Sequence, residues 1–487
     1  MNNSIVLISF VAYTLLIFFI SWFTTRKADS ESYYTGNKAS PWYVVSYGMI
    51  GASLSGVTFM SVPGWVGSTQ FSYMAVVFGY FIGYLVIALI LLPLYYRLNL
   101  TSIYGYLGQR FGVSSYRTGS AFFILSRMIG AAFRMFLVIN VLHIFVFDAL
   151  NIPFWLMILI FTGIILLYTF KGGIKTIVWT DTMQTTFMLA AVVISIFIIL
   201  NSLDISLPDL IGLAKERGYT KIFEWDWQSK QYFWKQFASG VFIAIVMTGL
   251  DQDMMQKNLT CKSLRDAKKN MLTLSGVMMF INLLFLFLGA ALYIFANETG
   301  ISTPTTTDNL FPMLAMQKMG SVAAIVFVIG LISAAYSSAD GSLTALTTAF
   351  CIDILDIRNR QNWNEKMKKR VRTFIHLLMA VVMMVVIMIF HEVNDEAVIS
   401  AIFTAAGYTY GPLLGLFAFG LYTRFSVHDR LVPIVAVVSP IVCYLLSYFS
   451  IELFNGYVFG FELLILNGLL TFAGLLALIR KKEAINC

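Results

Sequence analysis

Small and hydroxyl-bearing residues recur at helical spacing in one apolar segment of the chain. Ala334, Ser337, Ser338, Gly341 and Ser342 follow an i, i+3, i+4, i+7, i+8 pattern, which places them on one face of a helix. Hydroxyl and carbonyl oxygens are the ligands that a hard cation such as sodium prefers. The same stripe is also typical of close helix packing in membranes, so the pattern alone leaves both interpretations open.

A second polar stretch, Gly51–Gly56, interrupts another apolar segment. In lipid, an unpaired backbone group costs several kcal/mol, so a break in a helix persists only where it is buried or lines a cavity. Ser53, Ser55 and Thr58 could meet one ligand there if the helix unwinds, and unwound carbonyls could hold an ion. The stretch therefore predicts part of a solute pathway.

Arg134 lies deep in one apolar segment, where a charge costs about 2.5–3.5 kcal/mol and should face the bundle interior. A guanidinium binds a carboxylate through two parallel hydrogen bonds, so Arg134 is a candidate for binding an acidic solute. The alternatives are an internal pair with Asp340 or Asp181, or bonds to backbone carbonyls. Arg127, seven residues earlier, is expected to have a structural role.

The elements that carry these residues are predicted membrane spans. The chain is 59% hydrophobic and only 12% charged, against about 25% charged in soluble domains. A crossing needs about 20 residues, and the chain is read as one transmembrane domain, 1–487, of an all-α integral membrane protein. The predicted spans are 5–24, 43–67, 73–96, 118–147, 153–170, 180–203, 234–250, 270–296, 319–350, 373–391, 397–423, 431–450 and 458–479.

Basic residues alternate between the loops. Of 33 lysines and arginines, 25 fall in alternate loops and the C-terminal tail, four in the opposite loops, and four in or beside spans. Basic loops stay in the cytoplasm, which predicts a multi-pass protein of the cell (inner) membrane with its N-terminus outside and its C-terminus inside. The net charge of +8 therefore reflects orientation, and no nucleic-acid partner is expected.

Two spans are interrupted and lie five spans apart. Span 43–67 has the serine- and glycine-rich centre, and span 234–250 ends in Asp251-Gln-Asp253. Interrupted helices at matching places in two halves indicate inverted repeats. We predict repeats over 43–203 and 234–423, an extra N-terminal helix over 5–24, and two C-terminal helices with a tail over 431–487.

Five stretches together resemble the solute:sodium symporter family, which includes sodium/glucose, sodium/proline, sodium/iodide and sodium/sialic acid transporters. The likeness covers essentially the whole chain. Its most specific part is "GIILLYTFKGGI", which is similar to the family signature, in which an aromatic or aliphatic residue and a small hydroxylic residue precede Gly-Gly. The five stretches are Gly163–Ile174, Val178–Gln184, Asp251–Lys257, Ser337–Ser342 and Ser55–Gly64.

The resemblance implies a five-plus-five inverted-repeat core of the leucine-transporter type with two broken helices. It also implies a sodium ion as co-substrate. The implied sodium ligands are the carbonyls of Gly51, Leu54 and Ala334 and the hydroxyls of Ser337 and Ser338. Asp181 would lie close to this ion or serve a second one.

The site residues are most similar to the sialic acid branch. Ser53, Ser55 and Thr58 match its hydroxyl positions, and Arg134 matches its carboxylate-binding arginine. Two departures stand out. Asp340 and Gly341 replace two serines that would serve a second sodium, and 73–92 carries no Gln, Asn or Glu of the kind that sugar-binding members offer there.

These observations predict a sodium-coupled symporter that imports a small organic solute by alternating access, with a sugar acid such as sialic acid as one candidate. A neutral sugar, a polyol, an amino acid or a monocarboxylate are the other candidate solutes, and a proton-coupled carrier on the same fold is the alternative mechanism. An enzyme is not expected, because the four histidines form no metal-binding or triad spacing. The expected partners are the solute, sodium and the bilayer, with the protein acting as a monomer.

Overall fold

The computed structural model describes residues 3–25, 40–147, 151–393 and 398–480. Nearly all of the regular structure in these ranges is helical. The main helices are α1 (Asn3–Thr25), α2 (Trp42–Thr69), α3 (Tyr73–Arg97), α4 (Gly105–Arg110), α5 (Val113–Phe147), α6 (Phe154–Leu203), α7 (Leu207–Glu216), α8 (Phe233–Gly249), α9 (Gln252–Asn258), α10 (Leu264–Glu298), α11 (Leu310–Gln317), α12 (Ser321–Ile354), α13 (Glu365–Val393), α14 (Val398–Thr409), α15 (Gly411–Tyr422), α16 (Val432–Tyr448), α17 (Ser450–Leu453) and α18 (Leu463–Ala477).

By length and composition, eight helical stretches among the described residues could cross a bilayer, and two bent pairs pass the same test together. Three shorter apolar helices accompany them. Each of the thirteen predicted spans coincides with one of these elements, so the all-helical membrane architecture is confirmed. The bent pairs are α8 with α9 and α14 with α15, and the shorter helices are Leu7–Phe23, Phe154–Thr169 and Leu463–Ala477.

Helix α6 folds back on itself. The Phe161 ring lies 6.2 Å from the Tyr336 ring of α12, and the Cβ of Ala191 lies 2.6 Å from where a Cβ on Gly330 would be. Phe161 and Ala191 are 30 residues apart and would be about 45 Å apart in a straight helix. Their neighbours on α12, Tyr336 and Gly330, are six residues apart, a distance of only about 9 Å. The first arm of α6, up to Thr169, and the second arm, from Thr176, therefore provide the two predicted crossings.

Helix α12 forms the centre of the bundle. Every residue from Gly330 to Ala349 is buried, and the helix packs against α1, α2, α5 and both arms of α6. A helix that is buried on all sides must be apolar or small all round. The serines and glycine of the predicted stripe allow this close packing. The serines also bring their hydroxyls to the most enclosed part of the protein.

Three spans are interrupted. Ser55 in α2 has φ 44° and ψ 170°, a conformation that costs free energy for any residue other than glycine. Helices α8 and α9 meet at 68°, and α14 and α15 meet at 46°. The first two breaks are those predicted from the sequence, and the third falls within Gly407-Tyr-Thr-Tyr-Gly-Pro412, where the sequence also predicts a bend.

Candidate solute and sodium site

An inner cavity of about 90 Å³ lies beside the break in α2. All four predicted solute-binding residues line it, although they come from two helices. Aromatic side chains of α3 and of α14 complete the walls. The cavity lining includes Ser53, Ser55, Thr58, Arg134, Arg127, Tyr73, Tyr80, Tyr84, Thr248, Asn282 and Phe403.

Arg134 forms no ion pair within the described part of the chain, although its side chain is partly buried. The two carboxylates considered as its internal partners are bonded elsewhere. Asp340 accepts a hydrogen bond of 3.0 Å from Tyr168 Oη, and Asp181 contacts Ser337 and Lys257. The guanidinium is therefore available to a solute in the inner cavity.

The two serines proposed as sodium ligands differ in their surroundings. The Ser337 hydroxyl donates a hydrogen bond of 2.8 Å to Asp181 Oδ1. The Ser338 hydroxyl is fully enclosed and has no hydrogen-bond partner among the described residues. A buried hydroxyl without a partner loses its hydration and gains nothing in return. Ser338 thus presents an oxygen that an ion could satisfy, and Ala334 lies one turn earlier on the same face.

Two of the three proposed carbonyl ligands, Gly51 and Leu54, lie at the break in α2. Leu54 directly precedes Ser55. In an unbroken helix the carbonyls of the residues before Ser55 would accept hydrogen bonds from amides four residues later. Because the backbone changes direction at Ser55, we expect those amides to lie out of reach. Gly51 packs so closely on the second arm of α6 that a Cβ there would overlap the Thr185 hydroxyl. Because α2 also packs on α12, the two helices that carry the proposed ligands come together here with the second arm of α6, whose Asp181 contacts Ser337.

A buried charge network extends from this region. Lys257 Nζ lies 2.9 Å from Asp181 Oδ2 and 3.5 Å from Asp253 Oδ1. Arg127 pairs with Asp253, and its Nη1 lies 3.5 Å from Asp251 Oδ2. All five side chains are almost completely enclosed. The network connects α5, the second arm of α6 and α9.

This network was only partly anticipated. Asp251 ends the second broken helix together with Gln252 and Gln256, where the sequence allows them either to line an inner gate or to cap a helix and pair with Lys257 or Arg265. It does cap α9, accepting a bond of 3.2 Å from the Met254 amide, but its other partners are Arg127 and the Tyr410 hydroxyl, which donates over 2.6 Å. Its cationic partner is therefore Arg127, from a helix distant in sequence, in place of the Lys257 or Arg265 that the second alternative names.

Asp253 and Tyr410 were not predicted as members of the network. The only signal for Asp253 is its i, i+4 spacing from Lys257, which is favourable for an ion pair on one helix face. Nothing in the local sequence indicates that Tyr410, at the bend between α14 and α15, reaches the second break. That contact depends on how distant helices pack.

Backbone and amide bonds close the same end of the bundle. Gln252 Oε1 accepts from the Ile103 amide over 3.0 Å, and its Nε2 donates to the Thr101 carbonyl over 2.9 Å. Tyr104 Oη donates to the Leu250 carbonyl over 2.8 Å. These bonds hold the α3–α4 connection against the second break, on the side predicted to be cytoplasmic, and Arg127 links them to the inner cavity.

A larger cavity, of about 470 Å³, lies on the opposite side, and we call it the vestibule. Tyr73 lines both the vestibule and the inner cavity, and its hydroxyl lies 3.2 Å from that of Tyr80. The vestibule brings together helix ends that the sequence places on the outside. Its lining is Trp65, Thr69, Ser72, Tyr73, Lys230, Gln231, Gln236, Ser400, Thr404, Tyr408, Ser447, Phe459, Gly460, Phe461 and Leu463.

A family model described as the Sodium:solute symporter family matches residues 33–427, most of the chain. The protein belongs to the sodium:solute symporter family. It is therefore a sodium-coupled solute symporter and not an enzyme, as predicted.

Curated relatives are distant but extend over much of the chain. The protein is 24% identical to the sodium/sialic acid symporter SiaT of Proteus mirabilis (strain HI4320), over 90% of this chain and 89% of that one. It is also 24% identical to the human sodium/iodide cotransporter, over 81% of this chain and 61% of that one. Members with such different named solutes share similar identity, so identity alone does not determine the solute.

Solved structures agree on the fold. A Na⁺-coupled sialic acid symporter in a substrate-bound outward-open state aligns with a TM-score of 0.82 at 19% identity, over 98% of this chain and 97% of that one. Mhp1, a nucleobase-cation-symport-1 family transporter in a closed conformation, aligns with a TM-score of 0.57 at 15% identity, over 91% and 92%. The leucine-transporter-like fold implied by the sequence resemblance is confirmed.

Proposed function

We propose that the protein uses sodium entry to import a sugar acid by alternating access. The observation that carries this proposal is the guanidinium of Arg134, which has no ion-pair partner among the described residues and lies in the same cavity as the hydroxyls of Ser53, Ser55 and Thr58. A planar guanidinium suits a carboxylate, and clustered hydroxyls suit the hydroxyl groups of a sugar. The names of the sialic acid symporters among the relatives support the same solute class.

The proposed sodium site lies between α2 and α12. Its ligands are the carbonyls of Gly51, Leu54 and Ala334 and the hydroxyls of Ser337 and Ser338. The hydroxyl of Ser338, which has no hydrogen-bond partner in the described part of the chain, and the break beside Leu54 support this assignment. One sodium entering across 100 mV contributes about 2.3 kcal/mol, which corresponds to roughly fiftyfold accumulation of the solute.

We propose a single sodium per cycle. Asp181 was assigned to the neighbourhood of the sodium or to a second ion, but its carboxylate contacts the Lys257 ammonium over 2.9 Å. That contact already supplies a positive charge at Asp181. Asp340 accepts hydrogen bonds from Tyr168 and from the Gly341 amide. Both carboxylates therefore already have partners, which a second sodium would have to replace.

The proposed cycle follows from the two sides of the inner cavity. The vestibule leads toward the inner cavity from the side that we propose to be outside, where the N-terminus also lies. The Arg127 network and the Gln252 bonds close the opposite, cytoplasmic side. Inverted repeats over 43–203 and 234–423 would exchange these roles. Because a single chain lines both cavities, we propose that the monomer is sufficient for transport.

A thermal-shift screen tests the solute class. The purified protein would be heated with sugars, sugar acids, amino acids and monocarboxylates, each with sodium and with potassium. We expect stabilisation by a sugar acid in sodium only, and its loss in Arg134→Ala but not in Arg217→Ala, an exposed arginine outside both cavities. Equal stabilisation of Arg134→Ala by the same acid would contradict the proposed solute site.

A further inference from the structure

The segment between α6 and α8, 204–232, carries aromatic side chains that the rest of the protein leaves uncovered. Phe223, Trp225 and Trp227 are between 45% and 61% exposed, and so is Trp234 at the start of α8. We call these four residues the aromatic patch. Since an aromatic side chain has about 150–250 Å² of surface, the half-exposed patch presents roughly 400 Å². Exposed apolar patches of this size are often functional.

Three members of the aromatic patch form one surface around buried Phe233, the first residue of α8. The Phe223 and Trp225 rings stack at 5.7 Å with an interplanar angle of 5°. The Phe233 ring lies 5.5 Å from the Trp225 ring and 5.1 Å from the Trp234 ring. The Phe233 amide also donates a hydrogen bond of 2.8 Å to the Glu224 carbonyl. The loop aromatics therefore lie beside the first turn of a membrane-spanning helix.

Trp234 indicates the depth at which the aromatic patch lies. It is the second residue of α8, which crosses the bilayer together with α9, and it lines neither the inner cavity nor the vestibule. Because α6 folds back, the start of its first arm lies on the same side as the start of α8, and its second residue is the exposed Trp155. Tryptophan is enriched where the acyl chains of a bilayer meet the headgroups, so both residues mark that boundary.

The loop separates apolar side chains from charged ones. Residues 221–226 form no helix, and in an extended chain alternate side chains point to opposite sides. The alternation Phe-Glu-Trp-Asp-Trp from Phe223 to Trp227 therefore places the three aromatic rings on one side. The carboxylates of Glu224 and Asp226 accept hydrogen bonds within the loop. The aromatic side can thus enter lipid without burying a carboxylate, which would be costly.

We propose that the aromatic patch binds the lipid leaflet on the vestibule side, with its indole rings between the phospholipid headgroups and the acyl chains. The partner is the bilayer surface, because the patch continues the exposed face of a spanning helix. Through the bond between Phe233 and Glu224, the patch holds the first turn of α8 at a fixed depth. This helix ends at the second break and contributes to the lining of both cavities, through Gln236 to the vestibule and through Thr248 to the inner cavity.

Nitroxide labels on single cysteines test the depth of the aromatic patch in phosphatidylcholine vesicles. Three native cysteines are buried, and Cys487→Ser removes the fourth. A label at Trp227→Cys should relax more strongly with oxygen, which concentrates among acyl chains, than with a water-soluble nickel complex. A label at Lys215→Cys, an exposed residue of α7 in the same segment, should show the reverse.

Brominated phosphatidylcholine, which quenches indole fluorescence on contact, provides the second readout. Six of the nine tryptophans are exposed. If these six face lipid, replacing Trp225 and Trp227 together by tyrosine should reduce the quenched emission by about one-third. The same change at Trp65 and Trp363, which are less exposed, should leave the quenched emission nearly unchanged.

Two results would overturn the lipid assignment. One is a label at position 227 that is as accessible to the nickel complex as the label at position 215. The other is quenched emission that stays the same without Trp225 and Trp227. Labels at position 227 that broaden each other's spectra would instead assign the aromatic patch to contact between two copies of the chain, which also contradicts the proposal. Neither readout needs solute or sodium, so failure here leaves the proposed function standing.

Discussion

Replacing Ser338 by alanine isolates one proposed sodium ligand. The hydroxyl is buried on the most enclosed helix of the protein and has no partner among the described residues. Its removal therefore breaks no hydrogen bond of the described structure, and we expect the ion-free protein to keep its stability or to gain slightly. Any loss should appear only when sodium binds.

The magnitude follows from the type of interaction. A polar group that contacts a charged partner in a buried site contributes about 1.5–3 kcal/mol. Since 1.4 kcal/mol is a factor of ten in an equilibrium constant, Ser338→Ala should raise the sodium Kd roughly tenfold to a hundredfold. Sodium half-saturation of uptake should shift in the same direction.

Thermal unfolding against sodium concentration measures this shift, because a ligand that binds only the folded state stabilises it by RT ln(1 + [L]/Kd). Thr344→Val is the matched control. Its hydroxyl is also buried without a described partner on α12, but six residues place it on another face. Unchanged sodium affinity in Ser338→Ala, or an equal loss in Thr344→Val, would refute the assigned cage.

Three further predictions concern other charged groups. Arg134→Lys keeps the charge but loses the two parallel bonds, so we expect the KM for an acidic solute to rise at least about tenfold, measured by initial uptake rates; an unchanged KM would argue against carboxylate binding. Arg127→Met leaves the carboxylate of Asp253 without one buried partner, and denaturant unfolding in detergent should show a loss of about 3–5 kcal/mol; a change within error would contradict the closure of that end by this network. Burial raises the pKa of Asp308, whose carboxylate accepts from the Val398 amide; the folded state then favours its protonated form, so stability should fall as pH rises above about 3.9. Asp308→Asn should remove this part of the decline in Tm between pH 4 and 8, and parallel Tm profiles would be inconsistent with it.

The broken helices were predictable because their signals are local. Gly51–Gly56 places polar and flexible residues where lipid would require an unbroken apolar helix, and the φ of Ser55 falls inside that stretch. The serine stripe of α12 was predictable for a similar reason, since helical periodicity determines which residues share a face. Family resemblance was still needed to favour an ion over simple packing.

The charge network was less accessible because its partners come from distant segments. Arg127 reaches Asp251 and Asp253 across about 125 residues, and nothing in the neighbourhood of Arg127 distinguishes a structural arginine from a binding one. The same limitation applied to Lys257, whose contact with Asp181 depends on the packing of α9 against the second arm of α6. The vestibule, which combines loop and helix ends from five regions, had no sequence signal at all.

Uptake into proteoliposomes tests the coupling of solute to a single sodium most directly. Purified protein would be reconstituted without a pH gradient, and labelled sialic acid and labelled sodium would be counted together after an inward sodium gradient is imposed. We predict accumulation that depends on sodium, with one sodium entering per solute, and strongly reduced accumulation for Ser338→Ala. Equal uptake when potassium replaces sodium, or uptake driven by a proton gradient alone, would contradict the account.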